Sequence, residues 1–418
     1  MVAGQQMRDV VVVGAGLAGL ACAADLHAAG LSVRVLEAGD EVGGRMRTDR
    51  VDDFVVDRGF QVFNTSYPQV RRRLVLKDLR LRPFTPGVLV DSPTGRVRFG
   101  DPSRAPRVVY DMLRERPVKL RDLAALGALS GRDMLLPARL IKHRADRVDG
   151  TVRSALTRAG VSDALVEDFF RPFLSGVFLE DELETSARVF HLVWRSMVRG
   201  TLCLPAQGIG QVPASLARAL PSGAVERENP VARLVDDGVL TADGKEVPAR
   251  AVVVATGPGP LADLLPELPV PAYRIVTTYY HVAPRSPLGE PTLLVDTRRR
   301  FLNTCVLSDV APEYAPAGHS LVATSVLGPG GQGRDGQVRD ALAEVYGTDT
   351  SGWDLLTART ITDALPEMTP PHPLSRTTRV AQGRYVCGDH RATGSVQGAL
   401  ASGARAAREV LADLMPRA

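Results

Sequence analysis

The sequence predicts an α/β fold with two domains, one built on a parallel sheet and the other of α+β type, with a mixed or antiparallel sheet and a helical insertion. The chain of 418 residues is longer than one hydrophobic core usually supports. Residues 10–13 are four consecutive valines, which is typical of a strand buried on both faces of a parallel sheet. Residues 263–375 hold stretches of alternating apolar and polar residues, which indicate strands with one buried face.

The first strand leads into a glycine-rich turn of the form G-x-G-x-x-G. In such turns the first glycine permits the tight bend, the second lets the backbone approach a pyrophosphate, and the third lets the next helix pack closely on the strand. Gly30 ends that helix, and Glu37 stands at the end of the next strand, roughly 20 residues after the turn, where a carboxylate can bind a ribose diol. The pattern predicts a Rossmann-like dinucleotide site with the turn residues Gly14, Ala15, Gly16, Leu17, Ala18 and Gly19.

The residues after Glu37 favour a flavin over a nicotinamide cofactor. A nicotinamide-binding domain would normally pass from the acid into its next helix, whereas a second glycine pair follows here. That turn can bring Arg45 against phosphate oxygens, which a guanidinium binds through two parallel hydrogen bonds. An apolar segment then reaches the point where a flavin ring would lie. The residues of this region that we predict to bind the cofactor are Glu37, Ala38, Gly43, Gly44, Arg45, Gly59, Phe60 and Gln61.

Two separated segments resemble one known superfamily. The stretch GAGLAGL…LEAGDEVGGRMRT is similar to the start of the FAD-dependent superfamily of flavin amine oxidases, protoporphyrinogen oxidases, phytoene desaturases and related carotenoid isomerases. Residues 383–411, GRYVCGDHRATGSVQGALASGARAAREVL, resemble its C-terminal flavin motif. The resemblance implies that Asp389 bonds the ribityl chain or the pyrophosphate, and that a helix N-terminus faces the flavin's pyrimidine edge, where it favours electron density. The residues implied here are Gly388, Asp389, Ser395, Val396 and Gln397.

A third stretch extends the resemblance. Residues 204–220, LPAQGIGQVPASLARAL, resemble the glycine turn and helix before the superfamily's central strands, and Val231 falls where the superfamily uses a backbone contact to the adenine. The implied cofactor is FAD. Because Cys387 lies on a predicted buried strand, we interpret it as a core residue and predict that the FAD is bound noncovalently. The strong resemblance is confined to residues 9–65, 200–260 and 380–412.

The predicted FAD-binding domain consists of residues 1–85, 201–262 and 376–418. The substrate domain has a helical part, residues 86–200, and a sheet part, residues 263–375. In the helical part apolar residues recur every three or four positions, and Pro172 is expected to interrupt one helix. Its aromatic residues could line an apolar substrate tunnel or form an ordinary core; they are Phe169, Phe170, Phe173, Phe178, Phe190 and Trp194.

Composition excludes several other classes of protein. The net charge is +4 with no dense basic tract, so nothing supports nucleic-acid binding. Four scattered cysteines and seven dispersed histidines show no metal-ligand spacing, and we predict no metal site. The chain has no basic-then-apolar leader and no apolar run of membrane-spanning length, so we expect a cytoplasmic protein. Residues 105–145 mix arginine with leucine, which fits either a peripheral membrane contact or a solvated helix face.

The resemblance implies an FAD-dependent oxidoreductase that removes hydrogen from a C–C or C–N bond of a largely apolar small molecule and passes electrons to oxygen or a quinone. Redox-neutral polyene isomerisation, amine oxidation and non-catalytic lipid carriage on the same fold remain alternatives. Amine oxidation is disfavoured because no lysine follows Lys245, whereas amine oxidases commonly place one near the flavin. No motif assigns a catalytic side chain, and the oligomeric state stays open. Candidate ring neighbours are Arg58, Phe60, Gln61, Tyr279, Tyr280, His390 and Arg391.

Overall fold

A computed structural model describes residues 7–100, 119–137 and 149–415 of the chain. Its strands are β1 (Arg8–Val13), β2 (Val33–Leu36), β3 (Thr48–Val51), β4 (Phe54–Asp57), β5 (Phe63–Asn64), β6 (Leu81–Pro83), β7 (Val88–Ser92), β8 (Gly95–Phe99), β9 (Leu202–Pro205), β10 (Val225–Glu226), β11 (Val231–Val235), β12 (Gly238–Thr241), β13 (Glu246–Val254), β14 (Tyr273–Ala283), β15 (Leu293–Asp296), β16 (Asn303–Val306), β17 (Ser320–Leu327), β18 (Asp354–Pro366), β19 (Arg379–Ala381) and β20 (Arg384–Val386).

The helices of the described residues are α1 (Leu17–Ala28), α2 (Pro68–Arg73), α3 (Leu120–Leu135), α4 (Val152–Arg158), α5 (Asp163–Leu165), α6 (Arg171–Phe178), α7 (Ala187–Arg199), α8 (Gln211–Ala217), α9 (Pro258–Leu264), α10 (Leu307–Val310), α11 (Arg334–Tyr346) and α12 (Val396–Leu414). Short 3-10 turns occupy Leu76–Leu79, Pro312–Tyr314 and Asp389–Arg391, and a π-helical turn occupies Val166–Phe170.

The first large sheet is the predicted Rossmann-like one, and it is assembled from distant segments. Its order is β10-β2-β1-β13-β12-β11, with β20 joined to β13. β1 runs parallel to both β2 and β13, and β20 runs parallel to β13. Residues 10–13 are buried on both faces, as their valines predict. The fold class predicted from the sequence is confirmed, because the carboxyl ends of β1, β2, β13 and β20 meet at one edge.

The second large sheet has the order β18-β14-β17-β16-β15-β7-β8. Its pairs are antiparallel except for β15 with β7, which are parallel, so the sheet is mixed as predicted. The prediction that residues from 86 onward are helical is wrong for β7 and β8. Their side chains alternate about the turn at Gly95, so Val88, Val90 and Val97 reach a core that a helical period would not have formed. The domain boundaries themselves remain a prediction.

The described helical part packs around one aromatic core. Phe169 stacks on Phe99 with ring centroids 4.7 Å apart, and Phe170 lies 5.5 Å from Trp194. Pro172 was predicted to interrupt a helix, and the α-helical pattern is interrupted directly before it, although the chain stays helical. The π-helical turn before it carries the chain on, and Pro172 occupies the first turn of α6, where a missing N–H costs little. The six predicted aromatic residues therefore form a core; whether they also border a tunnel remains a prediction.

No helix in the described ranges is long and apolar enough to cross a membrane. Much of the segment considered for peripheral membrane contact, residues 105–145, lies outside the described residues.

Candidate cofactor site

The glycine turn after β1 leaves an open approach to its backbone. Gly14 has φ +101°, and a Cβ there would stand 2.8 Å from the carbonyl oxygen of Ala255. Gly19 packs still more tightly against the carbonyl of Gly14, which holds α1 on the strand. A Cβ on Gly16, in contrast, would meet nothing within 4 Å. The turn therefore needs its first and third glycines for packing, and its second glycine faces the space where a phosphate can approach.

Glu37 anchors the edge of this site through both carboxylate oxygens. Its Oε2 accepts a hydrogen bond from the Ala15 amide at 2.7 Å, and its Oε1 accepts one from the Gly39 amide at 2.8 Å. The Glu37 carbonyl also accepts a bond from the Asn229 amide at 2.9 Å, which brings the start of β11 at Val231 alongside. The structure thus brings the predicted ribose and adenine contacts together, although cofactor contact itself remains a prediction.

The second glycine turn lies directly on the first. The Gly43 amide donates to the Ala15 carbonyl at 2.9 Å, and Gly43 and Gly16 form a parallel bridge. A Cβ on Gly44 would lie only 3.7 Å from the Cα of Gly16, and its φ of +59° also favours glycine. The turn can follow this path because it carries no side chains, and it delivers Arg45 beside the phosphate approach.

Arg45 and Asp389 meet here from opposite ends of the chain. The Arg45 guanidinium donates to Asp389 Oδ1 at 2.7 Å and to the Ala364 carbonyl at 3.0 Å, and it lies 5.9 Å from the centroid of the Tyr273 ring. Asp389 is 5% exposed, and the adjacent carboxylate favours the charged form of Arg45 and raises its pKa despite burial. Arg45 is thus fixed by a buried carboxylate, and the predicted contact with phosphate oxygens remains a prediction.

The N-terminus of α12 closes the other side of the site. Ser395 caps it, because its hydroxyl oxygen accepts from the Gly398 amide at 3.0 Å. The side-chain oxygen of Gln397 accepts from the Gln69 amide at 3.0 Å, so the backbone at Val396 and Gln397 is fixed at the first turn. The first amides of a helix have no intrahelical acceptor and carry partial positive charge, so this end suits an electron-rich ligand edge.

The segment after β4, residues 58–61, is held from several sides. Gly59 has φ +82°, and the Gln61 amide group donates to the Arg45 carbonyl at 2.8 Å. The Phe60 amide donates to the hydroxyl of Thr278 at 3.3 Å. The segment therefore lies between the second glycine turn and β14, and its contact with a flavin ring remains a prediction.

Other candidate ring neighbours are engaged elsewhere. Arg58 pairs with Asp49 at 2.9 Å and borders an open cleft of about 1400 Å³ that arginines line. Tyr279 packs in the core under α11, whereas the Tyr280 hydroxyl donates to the Asp57 carbonyl at 2.7 Å. The sequence identified these side chains as candidates, and the structure accounts for each by a structural contact.

His390 and Arg391, the remaining candidate ring neighbours, lie away from solvent. Both are buried, because the 3-10 turn that contains them lies under α12. Burial lowers the pKa of His390 to about 4, so the imidazole is neutral at pH 7, and its Nε2 has no partner within the described part of the chain. The Arg391 guanidinium donates to the Thr377 carbonyl, and burial lowers its pKa as well.

Two features of the site were not predicted from the sequence. Thr256 follows β13 beside Gly14, and its buried hydroxyl has no partner among the described residues, as fits a group that awaits a ligand. Leu365 and Met368 cover Gly394, where a Cβ would stand 2.9 Å and 3.1 Å from them respectively. A threonine directly after a buried parallel strand was a usable signal, since ligands bind at the carboxyl ends of such strands. Nothing in the sequence predicted that Leu365 and Met368 pack against Gly394.

Cys387 is a core residue, as the sequence predicted. All four cysteines are buried and unpaired, and desolvation raises the pKa of Cys387 to about 12, which keeps it a thiol. Over residues 7–100, 119–137 and 149–415 no group of three or more histidine, cysteine or acidic side chains is placed to hold a metal ion.

Four features of the site together fit a dinucleotide cofactor: the open glycine turn, the Arg45–Asp389 pair, the capped helix and the Thr256 hydroxyl.

Comparisons with known proteins agree with this geometry. The family model described as flavin containing amine oxidoreductase matches residues 17–411. A coproporphyrinogen III oxidase of Propionibacterium freudenreichii is 28% identical over 63% of this chain and 60% of its own length, so the match spans less than two thirds of that relative. A hydroxysqualene dehydroxylase of Rhodopseudomonas palustris is 28% identical over 97% of this chain and 99% of its own length.

Among solved structures, a double mutant of putrescine oxidase superposes with a TM-score of 0.72 at 19% identity, covering 97% of this chain and 99% of its own. At that identity the likeness shows the fold. The predicted membership of this superfamily is confirmed by the family match and by the oxidase-named relatives. The chain belongs to the flavin-containing amine oxidoreductase family.

Proposed function

We propose that this protein binds FAD noncovalently and removes hydrogen from a C–C or C–N bond of a largely apolar small molecule, with oxygen or a quinone as the final electron acceptor. The observation that carries the cofactor assignment is the meeting of Arg45 and Asp389 beside the open backbone of Gly16. Noncovalent binding is supported by Cys387, whose buried thiol has a raised pKa and is a poor nucleophile.

In this proposal the protein supplies orientation and exclusion of water. When bound, FAD accepts the hydride that the substrate loses. Glu37 and the glycine turns hold one end of the cofactor, and the capped N-terminus of α12 offers its amides to the other end. No side chain needs to act as a strong acid or base for hydride removal, which agrees with a site that has no nucleophile–base pair in its motifs.

We infer an apolar substrate from the side chains that pack over Gly394 in the C-terminal motif. Leu365 and Met368 contact Gly394 on one side and belong to the aromatic core on the other. Met368 is 4% exposed, and its sulfur accepts from the Gly394 amide at 3.1 Å. Because the side chains packed over the C-terminal motif are hydrocarbon and sulfur rather than charged, we expect a substrate there to be held by apolar contacts rather than by charge.

Amine oxidation is the less favoured alternative. The substrate sheet of residues 263–375 carries no lysine, and Lys245 lies in the turn between β12 and β13 of the cofactor domain. Redox-neutral isomerisation of a polyene requires the same cofactor site and remains the second candidate.

The first experiment is an absorbance spectrum of the purified protein before and after acid precipitation. We expect flavin bands that move to the supernatant. Anaerobic bleaching then serves as the substrate screen, with a porphyrinogen, a polyene and an amine as probes. Bleaching by a porphyrinogen or a polyene supports the proposed apolar substrate, and bleaching by amines alone favours the amine-oxidase alternative instead. Conversion of a polyene without bleaching favours isomerisation.

A matched pair of variants tests the cofactor assignment itself. Glu37→Gln leaves the carboxylate's shape but removes the charge that binds two backbone amides, so we expect at least tenfold weaker FAD binding. Glu41→Gln lies four residues away on an exposed side chain and should bind FAD as the wild type does. Equal affinity of both variants would contradict the proposed ribose contact.

A further inference from the structure

Asp57 is a buried carboxylate at the end of β4, directly before the segment 58–61. It is 3% exposed, yet it makes no ion pair with a basic side chain in the described residues. Three donors surround it instead: the Thr48 hydroxyl at 2.6 Å, the Ile209 amide at 2.8 Å, and the Tyr314 hydroxyl at 2.9 Å. Burying a carboxylate charge with neutral donors alone costs free energy, so a role for Asp57 in the site is worth seeking.

The donors come from both domains. Thr48 and Ile209 lie on β3 and on the loop before α8, next to the glycine turns. Tyr314 belongs to the 3-10 turn after α10, and Tyr280 on β14 donates its hydroxyl to the Asp57 carbonyl at 2.7 Å. Both tyrosines are fully buried. Asp57 therefore joins the substrate sheet to the predicted cofactor domain through hydrogen bonds.

Hydrogen bonds to β14 also hold the segment beside the predicted flavin ring. Phe60, three positions after Asp57, is also held by β14, because its amide donates to the Thr278 hydroxyl at 3.3 Å. Thr278 and Tyr280 stand on the same face of β14, since alternate residues of a strand share a face. One face of β14 thus holds both ends of residues 57–60.

We propose that Asp57 is a positioning residue, which sets the placement of residues 59–61 against the flavin ring and couples that placement to the substrate sheet through Tyr280 and Tyr314. This inference rests on the proposed FAD site. It assigns no proton transfer to Asp57, whose carboxylate is enclosed by its three donors.

The charge of Asp57 gives the proposal a measurable signature. Burial raises the pKa of its carboxyl to about 6, against the opposing effect of the three hydrogen bonds. Above that pH the carboxylate accepts all three bonds, and below it the added proton makes one carboxyl oxygen a donor, so that the Thr48 or Tyr314 hydroxyl must turn to accept. The titratable and charged groups that face this network are Asp49, Tyr280, Glu313, Tyr314 and Arg359.

The test uses the full chain loaded with FAD and four variants. Asp57→Asn removes the charge and puts a side-chain NH2 group where the carboxylate accepts its hydrogen bonds. Tyr314→Phe and Tyr280→Phe each delete one hydrogen bond to Asp57. Asp53→Asn is the matched control, because Asp53 is exposed in the turn of the same hairpin and its φ of +68° suits asparagine. FAD affinity, the visible absorbance and circular dichroism of the bound flavin, and their pH dependence are the readouts.

We expect Asp57→Asn to weaken FAD binding about tenfold and to lose a spectral step near pH 6 that the wild type shows, while each tyrosine variant weakens binding about threefold. Asp53→Asn should match the wild type. Variants that bind FAD with an unchanged flavin spectrum and pH profile overturn the proposal, even if their melting temperatures fall. If Asp57→Asn does not fold, the tyrosine variants decide by the same readouts. A wild-type chain that takes up no FAD instead overturns the proposed function, and this inference with it.

Discussion

The close packing of α12 on α1 makes a sharp prediction at Gly403. A Cβ at this position would lie 3.0 Å from the carbonyl carbon of Ala18, 3.1 Å from the amide nitrogen of Cys22, and closer still to the Ala18 oxygen. All of these atoms are backbone atoms of α1, so no flexible side chain can move aside. Gly403→Ala must therefore push the two helices apart, and both helices begin at the cofactor site.

The expected magnitude follows from two opposing effects. Overpacking a well-filled core costs about 1–3 kcal/mol, and a backbone clash belongs at the upper end. Replacing glycine by alanine inside a helix stabilises the folded state by about 1 kcal/mol. We expect Gly403→Ala to lower the free energy of unfolding by about 2 kcal/mol and to weaken FAD binding as well.

Urea unfolding followed by circular dichroism measures this effect, with Gly336→Ala as the control. Gly336 lies in α11, and a Cβ there would meet nothing within 4 Å, so the same substitution should be neutral or stabilising by up to about 1 kcal/mol. The difference between the two variants isolates the clash. If Gly403→Ala is as stable as Gly336→Ala, the helices do not approach as closely as described and the reasoning fails.

Three further predictions concern charges and caps at the site. Ser395→Ala removes the cap on α12 and should cost about 1 kcal/mol in urea unfolding, with Ser395→Asp retaining most of it. Arg45→Met leaves the buried Asp389 carboxylate unpaired and should cost about 3 kcal/mol, of which Asp389→Asn in the same chain should restore a large part; no restoration would mean that the two side chains are not coupled. Burial lowers the pKa of His390 from 6.5 to about 4, so the unfolded chain takes up the proton first, and stability that is full above pH 6.5 falls by about 3 kcal/mol as the pH drops towards 4. His390→Gln should lack this component when unfolding is compared at pH 7.5 and pH 5, and an unchanged pH dependence would show that the imidazole titrates normally.

The cofactor half of the fold was predictable because its signals are local. The valine run, the glycine turn, the helix stop at Gly30 and the acid at Glu37 follow one another within a single strand–helix–strand unit, and each is dictated by backbone conformation or burial. The strands β7 and β8 were missed because their alternation is short and lies beside a long helical pattern. Besides their pairing with each other, they depend on the pairing of β7 with β15 and on a buried core, both built from residues distant in sequence.

By itself, therefore, the sequence determined the cofactor class, the parallel sheet and most of the residues around the glycine turns. Only the tertiary structure decided that Arg45 pairs with Asp389, 344 positions away, that His390 is buried and neutral, and that Tyr280 on β14 donates a hydrogen bond to Asp57. The physical reason is the range of the interactions. Backbone conformation and strand or helix period act over a few residues, whereas the partner of a buried charge depends on which strand ends and helix starts converge, and that is set by the packing of the whole chain.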